Sequence, residues 1–258
     1  MHPLRDALLF GATALAGAVN AIAGGGTLLS FPAALAWGMP SPVANATNAL
    51  AMSPGSLASA WAYRSEIATH KRLAALLIAP TIAGAVVGAV LMRLTPERLF
   101  DAIVPLLVFG ATMVLLLQGL AGRRAEVSGA VSVAPSRARL AVAVALQLLV
   151  GVYGGYFGAA MGIVMLALFS LLPGDIHGKI AIKNLLGAIA NGVAAIYFVA
   201  TGLIEPRAAL VMVPAAMVGG FAGGHAARRA SPRVVRLVVV AIGLGVSALL
   251  GYRALAGR

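Results

Sequence analysis

Residues Asn20 to Pro32 read NAIAGGGTLLSFP, and the fold turns on how three adjacent glycines can stand inside an apolar run. Residues 7–63 contain no Asp, Glu, Lys or Arg, so the surroundings are those of a bilayer-spanning segment. Glycine is about 1 kcal/mol worse than alanine inside a helix. An opened backbone at membrane depth has no water to bond, and is tolerated only where protein or a wet cavity supplies partners. The stretch therefore reads as a deliberate break: one helix stops at Gly24-Gly25-Gly26 and a short one starts near Thr27.

Working outward, the 258 residues are 61% hydrophobic and 10% charged, with a mean hydropathy of +0.98. Globular chains are roughly 45–50% apolar and about 25% charged, so this is an all-α polytopic membrane protein. Further charge-free runs cover 73–92, 102–122, 140–174, 184–204, 208–227 and 237–252. About 20 helical residues span a hydrocarbon core of ~30 Å. Most runs are thus one span long, whereas 7–63 holds a broken element plus a span, and 140–174 is barely enough for two. The opening MHPLRDALLFGATALAGA has signal-peptide features in Arg5 and Ala14-Leu15-Ala16, but the apolar pattern runs on without pause. The absence of cysteine rules out disulfides, thiolate metal sites and a cysteine nucleophile. A net charge of +12 belongs here to short loops, where it orients the protein in the membrane, and not to a nucleic-acid surface.

The chain also repeats itself. At an interval of 136 residues Asn48 matches Asn184, Gly84 matches Gly220, Gly88 matches Gly224, Arg93 matches Arg229, and Thr95-Pro96 matches Ser231-Pro232. GAVNAIAGGG from Gly17 resembles GVYGGYFGAAMG from Gly151, setting Gly24 over Gly158. The expected organisation is a first transmembrane repeat at 1–120, a polar linker at 121–138 and a second repeat at 139–258, with four elements in each. If both broken elements cross fully, Lys and Arg divide eleven to seven between the two sides; if both are re-entrant hairpins, they divide twelve to six. The hairpin arrangement segregates charge better and makes the halves inverted, as in many secondary transporters.

A short helix beginning at Thr27 presents unpaired amides and a partial positive charge of about half a unit, which suits an anion. Gly24, Gly25 and Gly26 let a ligand approach backbone without a Cβ in the way, and Thr27 and Ser30 add hydroxyls. Gly158 and Gly162 mark the second break. The following helices carry amides and hydroxyls, Asn45, Thr47 and Asn48 in the first half, Asn184 and Asn191 in the second, a pattern read as a polar site at matching depth, with helix-to-helix glue as the plainer alternative. Lys183 is the one cation that sequence puts inside a span, and an intramembrane charge is a functional hypothesis by default. Gly84-x-x-x-Gly88 and Gly220-x-x-x-Gly224 read as packing faces. The seven acids, Asp6, Glu66, Glu97, Asp101, Glu126, Asp175 and Glu205, all lie near span ends, and the four histidines show no metal spacing.

The paired motifs GAVNAIAGGGTLLSFP with ANATNALAMSPGS, and GVYGGYFGAAMGI with AIKNLLGAIAN, resemble the TauE/SafE sulfite-exporter family of bacterial membrane permeases over nearly the whole chain. The resemblance implies outward transport of a small sulfur-containing anion, sulfite or an organosulfonate, across the cell (inner) membrane. Its site would be Gly24 to Thr27, Asn45, Thr47, Asn48, Gly158 to Gly162, Lys183 and Asn184. Members often carry Asp, in a DAIxGGG pattern, where this chain has Asn20, so any coupling that Asp performs must rest here on Lys183 or on the substrate's own proton. No cofactor is expected, no nucleotide-binding P-loop is present, and homo-oligomer formation is left open. The competing classes are a membrane scaffold, which leaves the duplicated asparagines unexplained, and an intramembrane enzyme, for which Ser30, Ser53 and Ser56 lack an activating base other than Lys183.

Overall fold

The computed structural model describes residues 3–125, 137–170, 172 and 175–226, with six further positions between 240 and 252. The described residues form helices α1 (Pro3–Ile22), α2 (Thr27–Trp37), α3 (Ser41–Ala62), α4 (Arg64–Thr69), α5 (Lys71–Leu94), α6 (Glu97–Ala125), α7 (Arg137–Tyr156), α8 (Met161–Ser170), α9 (Ile176–Ala200) and α10 (Pro206–Ala226). Among them α5, α7, α9 and α10 are long and apolar enough to cross a membrane. The span expected at 237–252 lies largely outside the described residues. α6 runs on to Ala125, into the stretch read as a linker, and residues 126–136 are not described.

Both apolar runs of anomalous length are helix, break, helix. α1 stops because Gly24 and Gly25 turn into the left-handed region, at φ +76° and +85°, which costs glycine little. α2 then returns alongside α1. Gly26 sits against the Ala16 carbonyl, where a Cβ would collide, and at the far end Trp37 Nε1 donates to Asp6 Oδ1 at 2.8 Å. The last residue of α2 is thereby held at the first turn of α1. Gly38, at φ +119°, ends α2, its N–H and that of Met39 bonding back to Leu35 and Ala34. The second break has Gly158 at φ +68° and Ala160 at +58°. α8 folds back on α7, with Met161 against Gly154 and with Val164, Ala167 and Leu168 facing Leu146, Leu149 and Val150 across a shared groove.

Packing divides the molecule in two, though not at the linker. α1 and α3 pack on α10, α7 and α9 pack on α5, and α3 meets α9 between the two groups. Each bundle therefore borrows one helix from the other part of the chain. Lipid is as apolar as leucine, so helices in a membrane associate through close contact of small residues, and glycines make these contacts. Gly84 and Gly88 lie on the carbonyls of Leu148 and Val152, and Gly219 and Gly223 lie on those of Ala14 and Ala18. Ala14 and Leu148, like Ala18 and Val152, stand 134 residues apart, the interval that sets Gly24 over Gly158.

The two G-x-x-x-G motifs are packing faces, as their sequence suggests, but the second is displaced by one residue. Gly220 and Gly224 lie on Gly55 and Ser59 of α3, while their neighbours Gly219 and Gly223 face α1. The glycine pairs at 219–220 and 223–224 let α10 touch two helices where α5 needs single glycines toward one. Leu4, Leu8, Trp61, Leu94, Leu106, Ile196 and Leu210 are all exposed, in keeping with an outer face directed at lipid.

On the side that carries the α3–α5 connection, Asp175 caps α9 by accepting from Gly178 N–H at 2.8 Å, and its other oxygen lies 3.4 Å from His70 Nε2. The Gly178 N–H, with His70 beside it, holds the Asp175 carboxyl below the usual carboxylate range.

A side chain at Gly219 has nowhere to go. Gly219→Val should destabilise the protein by about 1–3 kcal/mol, the usual cost of overpacking, seen as a lower thermal midpoint in detergent. Gly11→Ala, which meets nothing within 4 Å, should leave the midpoint unchanged or slightly raised.

A candidate site where two broken helices cross

The two breaks are in direct contact. Gly24 packs on the backbone of Gly162 and Ile163, where a Cβ would come within 2.8 Å of both, and Thr27 Oγ1 accepts from the Ala160 N–H at 3.0 Å. The short helices α2 and α8 thus begin side by side. Phe31 packs edge-on to Phe157 at 5.3 Å between ring centroids, and Phe157 in turn meets Phe100 at 6.1 Å, so the crossing is fixed by apolar contact on the side of the α2 helix.

Polar groups from α3 and α9 converge on this crossing. Lys183 is buried, at 2% exposure, and its ammonium donates to the Asn20 carbonyl in the last turn of α1. Its stem passes Gly162, where a Cβ would stand 3.0 Å from Lys183 Cδ. Asn184 Nδ2 donates to the Ala21 carbonyl at 3.3 Å, leaving its buried Oδ1 without a partner. Asn45 Nδ2 donates to the Tyr156 carbonyl at the end of α7, at 3.0 Å. Carbonyls at the end of each broken helix therefore accept from a side chain of the other bundle's central helix, and the Asn20 carbonyl also accepts from Gly24 N–H at 3.1 Å. Asn191 approaches the second break, its Oδ1 3.5 Å from the place a Gly158 Cβ would take, and Asn48 accepts from Ser30 Oγ of α2 at 2.6 Å.

Of the residues chosen from sequence, Asn20, Gly24, Gly25, Thr27, Asn45, Gly158, Gly162, Lys183, Asn184 and Asn191 meet at the crossing. Gly26 contributes by packing on α1. Thr47 lies apart: its hydroxyl accepts from Glu205 N–H at 3.0 Å and ties the α9–α10 connection to α3. The amides at the start of α2 are also less open than a bare helix end suggests. Those of Leu28, Leu29 and Ser30 bond to Gly25 and Gly26, at 3.0, 2.8 and 3.3 Å, and among the described residues those of Gly25, Gly26 and Thr27 donate to none.

Three participants escape a reading of the sequence as a binding motif. Ser56 accepts from Asn20 Nδ2 at 3.1 Å, Ala160 offers its N–H from an αL conformation that its side chain does not advertise, and Tyr153 donates to the Ala159 carbonyl to fix the second turn. The aromatic spacing around Gly154 is the one signal that could have drawn attention to Tyr153. Among the described residues no cluster of three metal-ligating side chains occurs.

The profile of the sulfite exporter TauE/SafE family matches residues 9–250. The chain belongs to this family. A TauE/SafE relative from Escherichia coli K12, named "Probable membrane transporter protein YfcA", is 28% identical over 98% of this chain and 91% of its own length. A second, from Sinorhizobium sp. and named "Probable membrane transporter protein ORF9", is 29% identical over 94% of this chain and 92% of its own. A third, from Haemophilus influenzae and named "Probable membrane transporter protein", is 24% identical over 95% of this chain and 94% of its own. No solved structure matches. As a TauE/SafE protein the chain is a multi-pass membrane transporter of the bacterial cell (inner) membrane, and not an enzyme.

Gly25, at φ +85° with Ile163 Cδ1 2.7 Å from its absent Cβ, is a position of the first turn where a β-branched residue is a genuine outlier. Gly25→Val should abolish transport in proteoliposomes while the variant still inserts and purifies. Wild-type flux from that variant would refute the role given to the turn.

Proposed function

We propose that this TauE/SafE protein exports a small sulfur-containing anion, sulfite or an organosulfonate, by alternating access around the crossing of the two breaks. The observation that carries this reading is Lys183. Its ammonium is buried beside the starts of two short helices, and among the described residues its hydrogen-bond partner is a carbonyl and not a carboxylate. A cation removed from water without a counter-ion is costly, and an anion entering the crossing would neutralise it. The free amides of Gly25, Gly26 and Thr27 suit the acceptor oxygens of an oxyanion. The family description, a sulfite exporter, supports this choice of substrate class and direction.

We infer further that the two parts of the chain are inverted repeats. Support comes from the return of α2 to the start of α1, the return of α8 along α7, and the like glycine contacts made by α5 with α7 and by α10 with α1. The bodies that move in this proposal are the two bundles and not the two repeats, because backbone-to-backbone glycine contacts lock α10 to α1 and α3, and α5 to α7. Side-chain hydrogen bonds from Lys183, Asn184, Asn45, Thr27 and Ser53, which donates to Ala188 O at 3.0 Å, join one bundle to the other. These hydrogen bonds run beside apolar contacts between the bundles, among them Phe31 on Phe157 and Gly24 on Gly162, and the polar groups mark where a pathway would open.

Two measurements test these readings. Proteoliposome flux compared across sulfite, thiosulfate, sulfoacetate, taurine and sulfate should favour sulfite or a sulfonate; transport of sulfate alone would overturn the sulfur-substrate choice and keep the anion. Because the protein has no cysteine of its own, single cysteines report sidedness cleanly. Those at positions 2 and 40 should label from the periplasm, and those at 68 and 175 from the cytoplasm, since the latter side carries twelve of the loop Lys and Arg. Cytoplasmic labelling at position 2 would sink the inverted arrangement.

A further inference from the structure

The crossing brings together four helix ends: the N-termini of α2 and α8, and the C-termini of α1 and α7. Each end carries about half a unit of partial charge, positive at an N-terminus and negative at a C-terminus, so the four together favour neither sign. The amide of Asn45 on the α7 end adds no charge. Among the described residues the acids Asp6, Glu66, Glu97, Asp101, Asp175 and Glu205 lie elsewhere, near helix ends or in connections. Lys183 is then the group that gives the crossing its sign, and it does so from a particular place, on the C-terminal carbonyl of α1.

In transporters built on broken helices, that kind of place is where unwound carbonyls and half-helix C-termini hold a coupling cation. We propose that Lys183 is a tethered replacement for such a cation and determines the charge selectivity of the site: its ammonium cancels the negative end of α1, leaves the α2 and α8 ends to an anion, and makes transport independent of sodium. The side chain is built in from both sides. Gly162 lacks a Cβ where the stem runs, with Gly24 packed against the same glycine, and Asn184, the next residue of α9, holds the Ala21 carbonyl beside the one that Lys183 takes. A surface lysine snorkelling toward water would need none of this, and Lys183 is 2% exposed.

This inference rests on the anion reading above, and one experiment separates the two. Radiolabelled sulfite flux is measured in proteoliposomes of wild type, Lys183→Ala and Lys183→Met, at equal pH on both faces, with sodium, methylammonium or N-methylglucamine as the sole monovalent cation. Wild type should run alike in all three. Lys183→Ala, with an emptied place for a cation, should fall by about tenfold or more in N-methylglucamine, a barrier change of ~1.4 kcal/mol or more, and recover in sodium or methylammonium. Lys183→Met keeps an apolar stem against Gly162 and fills the place without charge, so it should stay silent in every cation. Lys183→Ala running at the wild-type rate in N-methylglucamine would overturn the proposal, as would a monodisperse Lys183→Ala that no cation restores. Should Lys183→Ala fail to purify, Lys183→Met transporting like wild type has the same force. Sodium dependence of the wild type would also overturn it. A wild type that moves no anion at all removes the anion reading itself.

Discussion

Backbone amides and carbonyls inside a bilayer must find partners in protein or face a wet cavity, and this molecule interrupts two helices within its apolar runs. Its architecture follows from how that debt of hydrogen bonds is met. Neither break is self-sufficient. The carbonyls that end α1 are taken by Lys183 and Asn184, a carbonyl that ends α7 is taken by Asn45, and an amide opened at Ala160 is taken by Thr27. Each interruption is tolerable because the other one, with its neighbouring central helix, is present. Bringing the two together in turn requires backbones to approach closely, in keeping with the many alanines and glycines buried among the described residues.

The same constraint accounts for how the helices are grouped. Each broken element folds back as a long helix and a short one, and the long helix is backed by a helix from the other part of the chain. α10 serves α1 and α5 serves α7. The glycines at these contacts have no Cβ to hold the backbones apart, so helices within each bundle meet backbone to backbone, while the two bundles meet through the crossing of the breaks and through polar and apolar side chains.

Much of this was legible in the sequence. Three consecutive glycines in an apolar run, and an apolar run of the wrong length at 140–174, located both breaks, and the asparagines after them marked the helices that serve the breaks. Two things were hidden for physical reasons. Sequence periodicity places a side chain on a face but does not say which neighbour that face meets, so Gly220 was taken as the counterpart of Gly84 when Gly219 makes the matching contact. Thr47, adjacent to Asn48, was grouped with it although successive helical residues point about 100° apart, which sends Thr47 to the α9–α10 connection. Ser56 and Ala160 are ordinary residues made important by distant partners, and nothing local distinguishes them.

The exchange of helices between bundles also bears on how the protein comes into being. α1 and α3 enter the membrane early in synthesis, but the helix that closes their glycine surfaces begins only at Pro206. Until it arrives those surfaces face lipid or whatever else is at hand, and contacts between segments so far apart in sequence form slowly. The nascent chain must therefore hold its first part in a waiting state, inserted but unpacked, through most of translation. A transporter assembled this way gains nothing from being cut at its linker, since neither piece would contain a complete bundle.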